Sequence, residues 1–185
     1  MQRQNRTAKQ TGLFFHSLVF GKDFMAIEMH PIPPVFDENC RVLILGSFPS
    51  VASRETAFFY GHKQNRFWRV LAAVFDEPVP ETVEEKKMLL LTHHVALWDV
   101  IARCEIEGSA DSSIKNVIPN DVAGLISQTR ITRVLLNGGT AEKYYKKYLA
   151  DTIPLPYLRL PSTSPANAAA GMEKLIEAWS ILKES

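Results

Sequence analysis

The sequence predicts an α/β protein, a three-layer α/β/α sandwich around a mainly parallel four-stranded sheet. Three observations lead there. Four short apolar runs have the character of strands buried on both faces, longer stretches with helical spacing separate them, and a polar turn follows each run. Strands alternating with helices imply right-handed crossovers, a parallel sheet and helices on both of its faces.

The elements follow in order. Pro31-Ile-Pro-Pro34 reads as an extended lead-in, because each proline biases its predecessor toward β or polyproline geometry. Val42-Leu-Ile-Leu45, stopped by Gly46, is the first strand. Phe67-Trp68, Val70-Leu71 and Val74-Phe75 recur at helical spacing, and a second helix is expected over 81–91. Val95-Ala-Leu-Trp98 is the second strand. Asn120 is placed to cap a helix running through Gln128, Arg133-Val-Leu-Leu136 is the third strand, and 140–148 is a helix. Pro156-Tyr-Leu-Arg-Leu160 is the fourth strand, followed by a proline–serine loop and a closing helix over 168–182.

With 185 residues, 46% of them apolar and 22% charged, the chain fits one domain, expected over 25–185. Residues 1–24 read as an N-terminal extension, disordered or outside the core. Their apolar stretch is broken by His16 and Ser17 and lacks a signal-peptide cleavage pattern, and Met25 or Met29 could serve as a start. No apolar run reaches the length of a membrane span. Cys40 and Cys104 have no C-x-x-C partner, which disfavours a disulfide framework, a four-cysteine zinc site or an iron–sulfur cluster. The chain's net charge is +1, but Arg3, Arg6, Lys9 and Lys22 against Asp23 give residues 1–24 a charge of +3 and leave −2 for the rest. Global charge therefore does not announce a nucleic-acid partner.

In an open parallel sheet ligands bind beyond the carboxyl ends of the strands, so the residues after each strand carry the information. Four segments qualify: Leu43-Ile-Leu-Gly-Ser-Phe-Pro-Ser50 with Tyr60-Gly-His-Lys-Gln-Asn-Arg-Phe-Trp68; Ala96-Leu-Trp-Asp-Val100 with Gly108-Ser-Ala-Asp111; Asn137-Gly-Gly-Thr140; and Leu160-Pro-Ser-Thr-Ser-Pro-Ala-Asn167. Each alone is ordinary turn chemistry. Apart from Asn137-Gly-Gly-Thr140, these segments together, in this order, resemble the uracil-DNA glycosylase superfamily, most nearly its deoxyinosine (hypoxanthine-DNA) branch. The resemblance spans residues 29–185. The Asn-Arg-Phe-Trp element is also similar to that of mismatch-specific uracil and thymine glycosylases.

The resemblance implies a monofunctional, metal- and cofactor-free glycosylase of base excision repair, acting as a monomer on DNA that contains a deaminated base. Hypoxanthine would be the first substrate and uracil the second. Its place would be the cytoplasm, at the nucleoid, or the nucleus in a eukaryote. Relatives usually carry a water-activating Asp, Glu or Asn in the first loop, where this chain has Ser47 and Phe48. The resemblance shifts that burden to Asn65, whose carbonyl can orient a water although a neutral amide cannot remove a proton. Asn65 could equally cap the following helix. Tyr60, with Phe48, stands where a ring would hold the flipped base. Asp99 stands where relatives read the base edge, or else caps the next turn. Ser47, His62, Arg66, Ser162, Thr163, Ser164 and Asn167 are the expected DNA contacts. Leu160 replaces a histidine or asparagine of relatives. The Asn137-Gly-Gly-Thr140 turn could bring amides to an anion or be a tight turn only, and Lys143, Lys146 and Lys147 form a basic helix face. Because Ser47, Phe48 and Leu160 supply no catalytic group, the alternative is a non-catalytic α/β module that binds a nucleotide or nucleic acid.

Overall fold

A computed structural model describes residues 26–184; the expectation for residues 1–24 lies outside them. In chain order the elements are β1 (Ala26–Met29), β2 (Val42–Gly46), α1 (Val51–Glu55), α2 (Phe67–Phe75), α3 (Val83–Thr92), β3 (Val95–Asp99), β4 (Ile101–Ile106) and β5 (Lys115–Pro119). There follow α4 (Val122–Ile126), β6 (Arg133–Asn137), α5 (Gly139–Tyr148), β7 (Tyr157–Leu160) and α6 (Met172–Trp179), with short 3-10 turns at Asp111–Ser113 and Ser180–Glu184.

The four expected strands form one fully parallel sheet in the order β3-β2-β6-β7. Alternation along the buried strands divides the interior in two. Val42 and Ile44 point into a cluster with Phe67, Leu71, Leu90 and Trp179 from α2, α3 and α6. Leu43 and Leu45 point the other way, onto Val122, Ala141 and Tyr145 from α4 and α5. This is the expected three-layer α/β/α arrangement, with its strand ends gathered on one rim.

Helix boundaries follow local capping. Thr82 and Glu85 form a reciprocal capping box at the start of α3. Asp121, not Asn120, caps α4, with its carboxylate accepting from Gly124 N–H at 2.9 Å. Asn120 instead donates its side-chain amide to the carbonyl of Asp99 at 2.9 Å. The closing helix begins only at Met172, because residues 168–171 remain in the preceding loop.

A second, antiparallel sheet in the order β1-β4-β5 was not legible in the sequence. Its strands are half exposed and carry Glu28, Arg103, Glu105 and Lys115, and its β4–β5 pairing is irregular, so no clean alternation marks it. This sheet runs β1 alongside β4 and so delivers the chain entering Pro31 to the end of β3. There Val35 pairs with Leu97 through two backbone hydrogen bonds of 3.0 and 2.9 Å.

Candidate active site

A pocket opens where the carboxyl ends of β2, β3, β6 and β7 meet, as the topology requires. The first loop lines one wall with Ser47 and Phe48, and β3 contributes Asp99. Tyr60 and Asn65 enter from the connection before α2, while Ser162, Thr163 and Ser164 close the opposite side. Of the expected contacts, His62, Arg66 and Asn167 lie outside this lining. His62 is exposed, and its Nδ1 accepts the Gln64 N–H at 3.2 Å.

Arg66, expected at a phosphate, is turned onto the loop after β7. Its Nε donates to the Thr163 carbonyl at 3.3 Å, and Nη2 donates to Ser164 and Asn167 carbonyls at 2.7 and 2.9 Å. Nη1 donates to the Ala170 carbonyl. A guanidinium has five N–H donors in a rigid fork, and here four of them hold the loop after β7. Asn167 belongs to the same clamp, since its Nδ2 donates to the Ser162 carbonyl at 2.9 Å. The Ser162 and Ser164 hydroxyls accept local backbone N–H groups, from Ser164 and Ala166 respectively.

Asn65 is likewise more committed than its sequence position suggested. Its Oδ1 accepts the Phe67 N–H and the Thr163 hydroxyl, each at 3.0 Å. Both lone-pair directions of that oxygen are therefore engaged, leaving Nδ2 as the uncommitted end of the amide. The expected water-orienting carbonyl is thus a helix-start acceptor, and the pocket receives a donor instead.

Behind Asn65 stands Asn137, a residue that sequence reasoning treated only as part of a turn. Its Oδ1 accepts the Thr163 N–H at 3.0 Å, while Nδ2 donates to the Tyr60 hydroxyl at 2.9 Å and the Thr163 hydroxyl at 3.1 Å. Thr163, fully buried, is the knot between the two asparagines. Asn137 ends β6 just as Asp99 ends β3, so the strand-end rule that singled out Asp99 could have found it. The following Gly138 has φ +94°, and a Cβ there would lie 2.7 Å from Ser162 Cβ. Only glycine lets the β6–α5 turn and the serine loop approach so closely.

One face of the Tyr60 ring is covered by Phe67, with centroids 3.9 Å apart, and the residue lines the pocket with its hydroxyl oxygen accepting from Asn137. Burial, with the neighbouring Asp99 charge, pushes the phenol well above its ordinary range and keeps it protonated. Phe48 meets the His30 ring edge-on at 6.0 Å, and the Arg54 guanidinium lies 5.7 Å from its centroid. Asp111 sits on an exposed turn but faces the pocket. Desolvation on that side raises its carboxyl, a Thr140 hydrogen bond opposes the rise, and the charge of Asp99 adds to it.

Asp99 does not cap a turn. It is buried at 4% exposure, and its Oδ2 lies 2.8 Å from His30 Nε2. His30 follows β1 and carries no local sequence signal; only the antiparallel sheet brings it here from 69 positions away. Among the described residues, no group of three or more His, Cys, Asp or Glu side chains is placed to hold a metal ion. No helix among them is long and apolar enough to cross a membrane.

The family model of the uracil DNA glycosylase superfamily matches residues 33–183. A hypoxanthine DNA glycosylase from Methanosarcina acetivorans is 36% identical over 137 residues, 73% of this chain and 85% of that protein. Its namesake from Methanosarcina barkeri is 34% identical over 114 residues, 60% of this chain and 72% of that protein. A solution NMR structure of a candidate uracil DNA glycosylase from M. acetivorans superposes with a TM-score of 0.71 at 31% identity, covering 85% of this chain and 99% of the other.

Proposed function

The chain belongs to the uracil DNA glycosylase superfamily, and from that premise we propose that it is a monofunctional DNA glycosylase that releases hypoxanthine, and uracil second, from DNA. The observation that carries this reading is the pocket at the strand ends, which joins aromatic side chains, a buried carboxylate and a clamped serine loop. A base inside a duplex cannot reach such a recess, so the target nucleotide must be turned out of the stack. In this reading Phe48 and Tyr60 would hold the extruded base, and Asp99 would meet its edge. The backbone amides and hydroxyls of Ser162–Ser164 would grip the adjoining phosphates.

The chemistry rests on positioning. Neither Ser47 nor Phe48 can act as a carboxylate base, and Asn65 offers Nδ2 rather than its oxygen. That donor can hold a water by its lone pair or stabilise charge on the departing base. The reading predicts an abasic product without strand cleavage, since no lysine is among the residues that line the pocket.

The test is base release from duplexes carrying inosine, uracil, xanthine or a thymine mismatch, followed by alkali. Hypoxanthine release with strand scission only after alkali supports the reading. Tight lesion binding without release of any base would instead favour the non-catalytic module.

A further inference from the structure

The side chain of His30 is 2% exposed, boxed by the rings of Phe48, Phe59 and Trp98 at 6.0, 6.0 and 6.5 Å. Its tautomer is decided by the backbone. Ile32 N–H donates to Nδ1 at 3.2 Å, so Nδ1 carries no proton and Nε2–H is the group that donates to Asp99 Oδ2 at 2.8 Å. Asp99 is held from a second side by Asn120, which donates to its carbonyl. The other carboxylate oxygen, Oδ1, makes no hydrogen bond among the described residues and lies against Gly46 in the pocket wall. A Cβ on Gly46 would sit 2.2 Å from it.

We propose that His30 is a positioning residue that fixes Asp99 so that Oδ1 faces the base as an obligate hydrogen-bond acceptor, making the pocket select a ring N–H. The inference rests on the glycosylase reading above and deepens it. Deamination converts the amidine edge of adenine or cytosine, where a ring nitrogen presents a lone pair, into a lactam edge, where that nitrogen carries hydrogen. A fixed acceptor pairs with the second and meets the first lone pair to lone pair. A buried polar group left unpaired is what gives such a site its discrimination. The chain of donors runs from Ile32 N–H through the imidazole to the carboxylate, so the undamaged base is rejected by an orientation set in the β1 extension. Guanine and thymine, which also carry a ring N–H beside a carbonyl, are not rejected by this contact.

The test compares hypoxanthine with purine, which lacks the N–H of the six-membered ring, in two assays. One is single-turnover release from duplexes carrying 2′-deoxyinosine or 2′-deoxynebularine, and the other is calorimetric binding of the two free bases. The wild-type protein should favour hypoxanthine in both by about tenfold or more. His30→Leu should bring the ratio toward one, and His30→Gln, whose Nε2–H can stand where the imidazole donor stood, should restore it. In Asp99→Asn the imidazole donor should hold the amide oxygen and turn the NH2 group to the pocket, reversing the preference. A folded His30→Leu with the wild-type ratio, or Asp99→Asn that still favours hypoxanthine, overturns the proposal; if His30→Leu does not fold, Asp99→Asn and His30→Gln decide. Selective binding without turnover would sink the glycosylase reading and leave this one standing. Turnover of inosine with a ratio that no variant moves would do the reverse, and a wild-type protein that neither binds nor releases hypoxanthine refutes both.

Discussion

Replacing Arg66 by methionine keeps most of the apolar stem and removes the fork that holds the loop after β7. Four carbonyls lose a charged donor: those of Thr163, Ser164, Asn167 and Ala170. A hydrogen bond to a charged group contributes about 1.5–3 kcal/mol when its partner is left buried. The buried Thr163 carbonyl keeps the Arg66 backbone N–H at 3.1 Å, and the other three carbonyls belong to half-exposed residues that water can reach, so about 0.5–1 kcal/mol per bond is the better figure, or roughly 2–4 kcal/mol in all. For a chain of this size that lowers the melting temperature by about 4–16 °C. Base release should fall further than stability, because Thr163 carries the hydrogen bonds that set Asn65 and Asn137. Arg66→Lys should do nearly as badly, since an ammonium keeps the charge without the fork. The assays are thermal melting, single-turnover release and lesion binding against salt concentration. A phosphate contact would contribute about 0.9 to the slope of log affinity against log salt; here the slope should not change. Wild-type melting with a slope reduced by about one would refute the clamp and return Arg66 to the DNA surface.

Asn65→Asp retains an oxygen for the Phe67 N–H but exchanges the Nδ2 donor for a carboxylate oxygen. Release should drop by about 10²-fold with melting little changed, and faster release would show that a base rather than a donor is wanted there. Gly46→Ala places a methyl 2.2 Å from Asp99 Oδ1 and should abolish hypoxanthine release while the sheet stays folded by circular dichroism; normal release would remove Asp99 from the site. Cys40 and Cys104 are fully buried, and burial pushes both thiols up to about 11. Thiol labelling at mildly alkaline pH should therefore track global unfolding. Because the unfolded thiols ionise near 9, the folded state loses stability as pH rises from there toward 11, and urea midpoints flat across that window would contradict the burial argument.

The sequence by itself determined the parallel sheet, its helices apart from the short α1, and the rim on which the pocket lies. Those features follow from short-range chemistry: the continuous apolar run of Val42–Gly46, the helical spacing from Phe67 to Phe75, and the turn residues after each strand. It also brought Ser47, Phe48, Tyr60, Asn65, Asp99 and the Ser162–Ser164 loop into view, and all of them line one pocket. What each side chain is free to do was decided by tertiary structure. Arg66 commits four of its five donors to acceptors 97 to 104 positions away, Asn65 shares its oxygen with Thr163 across 98, and Asp99 is met by His30 across 69. The half-exposed sheet that delivers His30 leaves no apolar periodicity to read. A residue type states which hydrogen bonds a side chain is able to make, whereas which of them remain for a ligand depends on partners that only the folded chain brings within 3 Å or so.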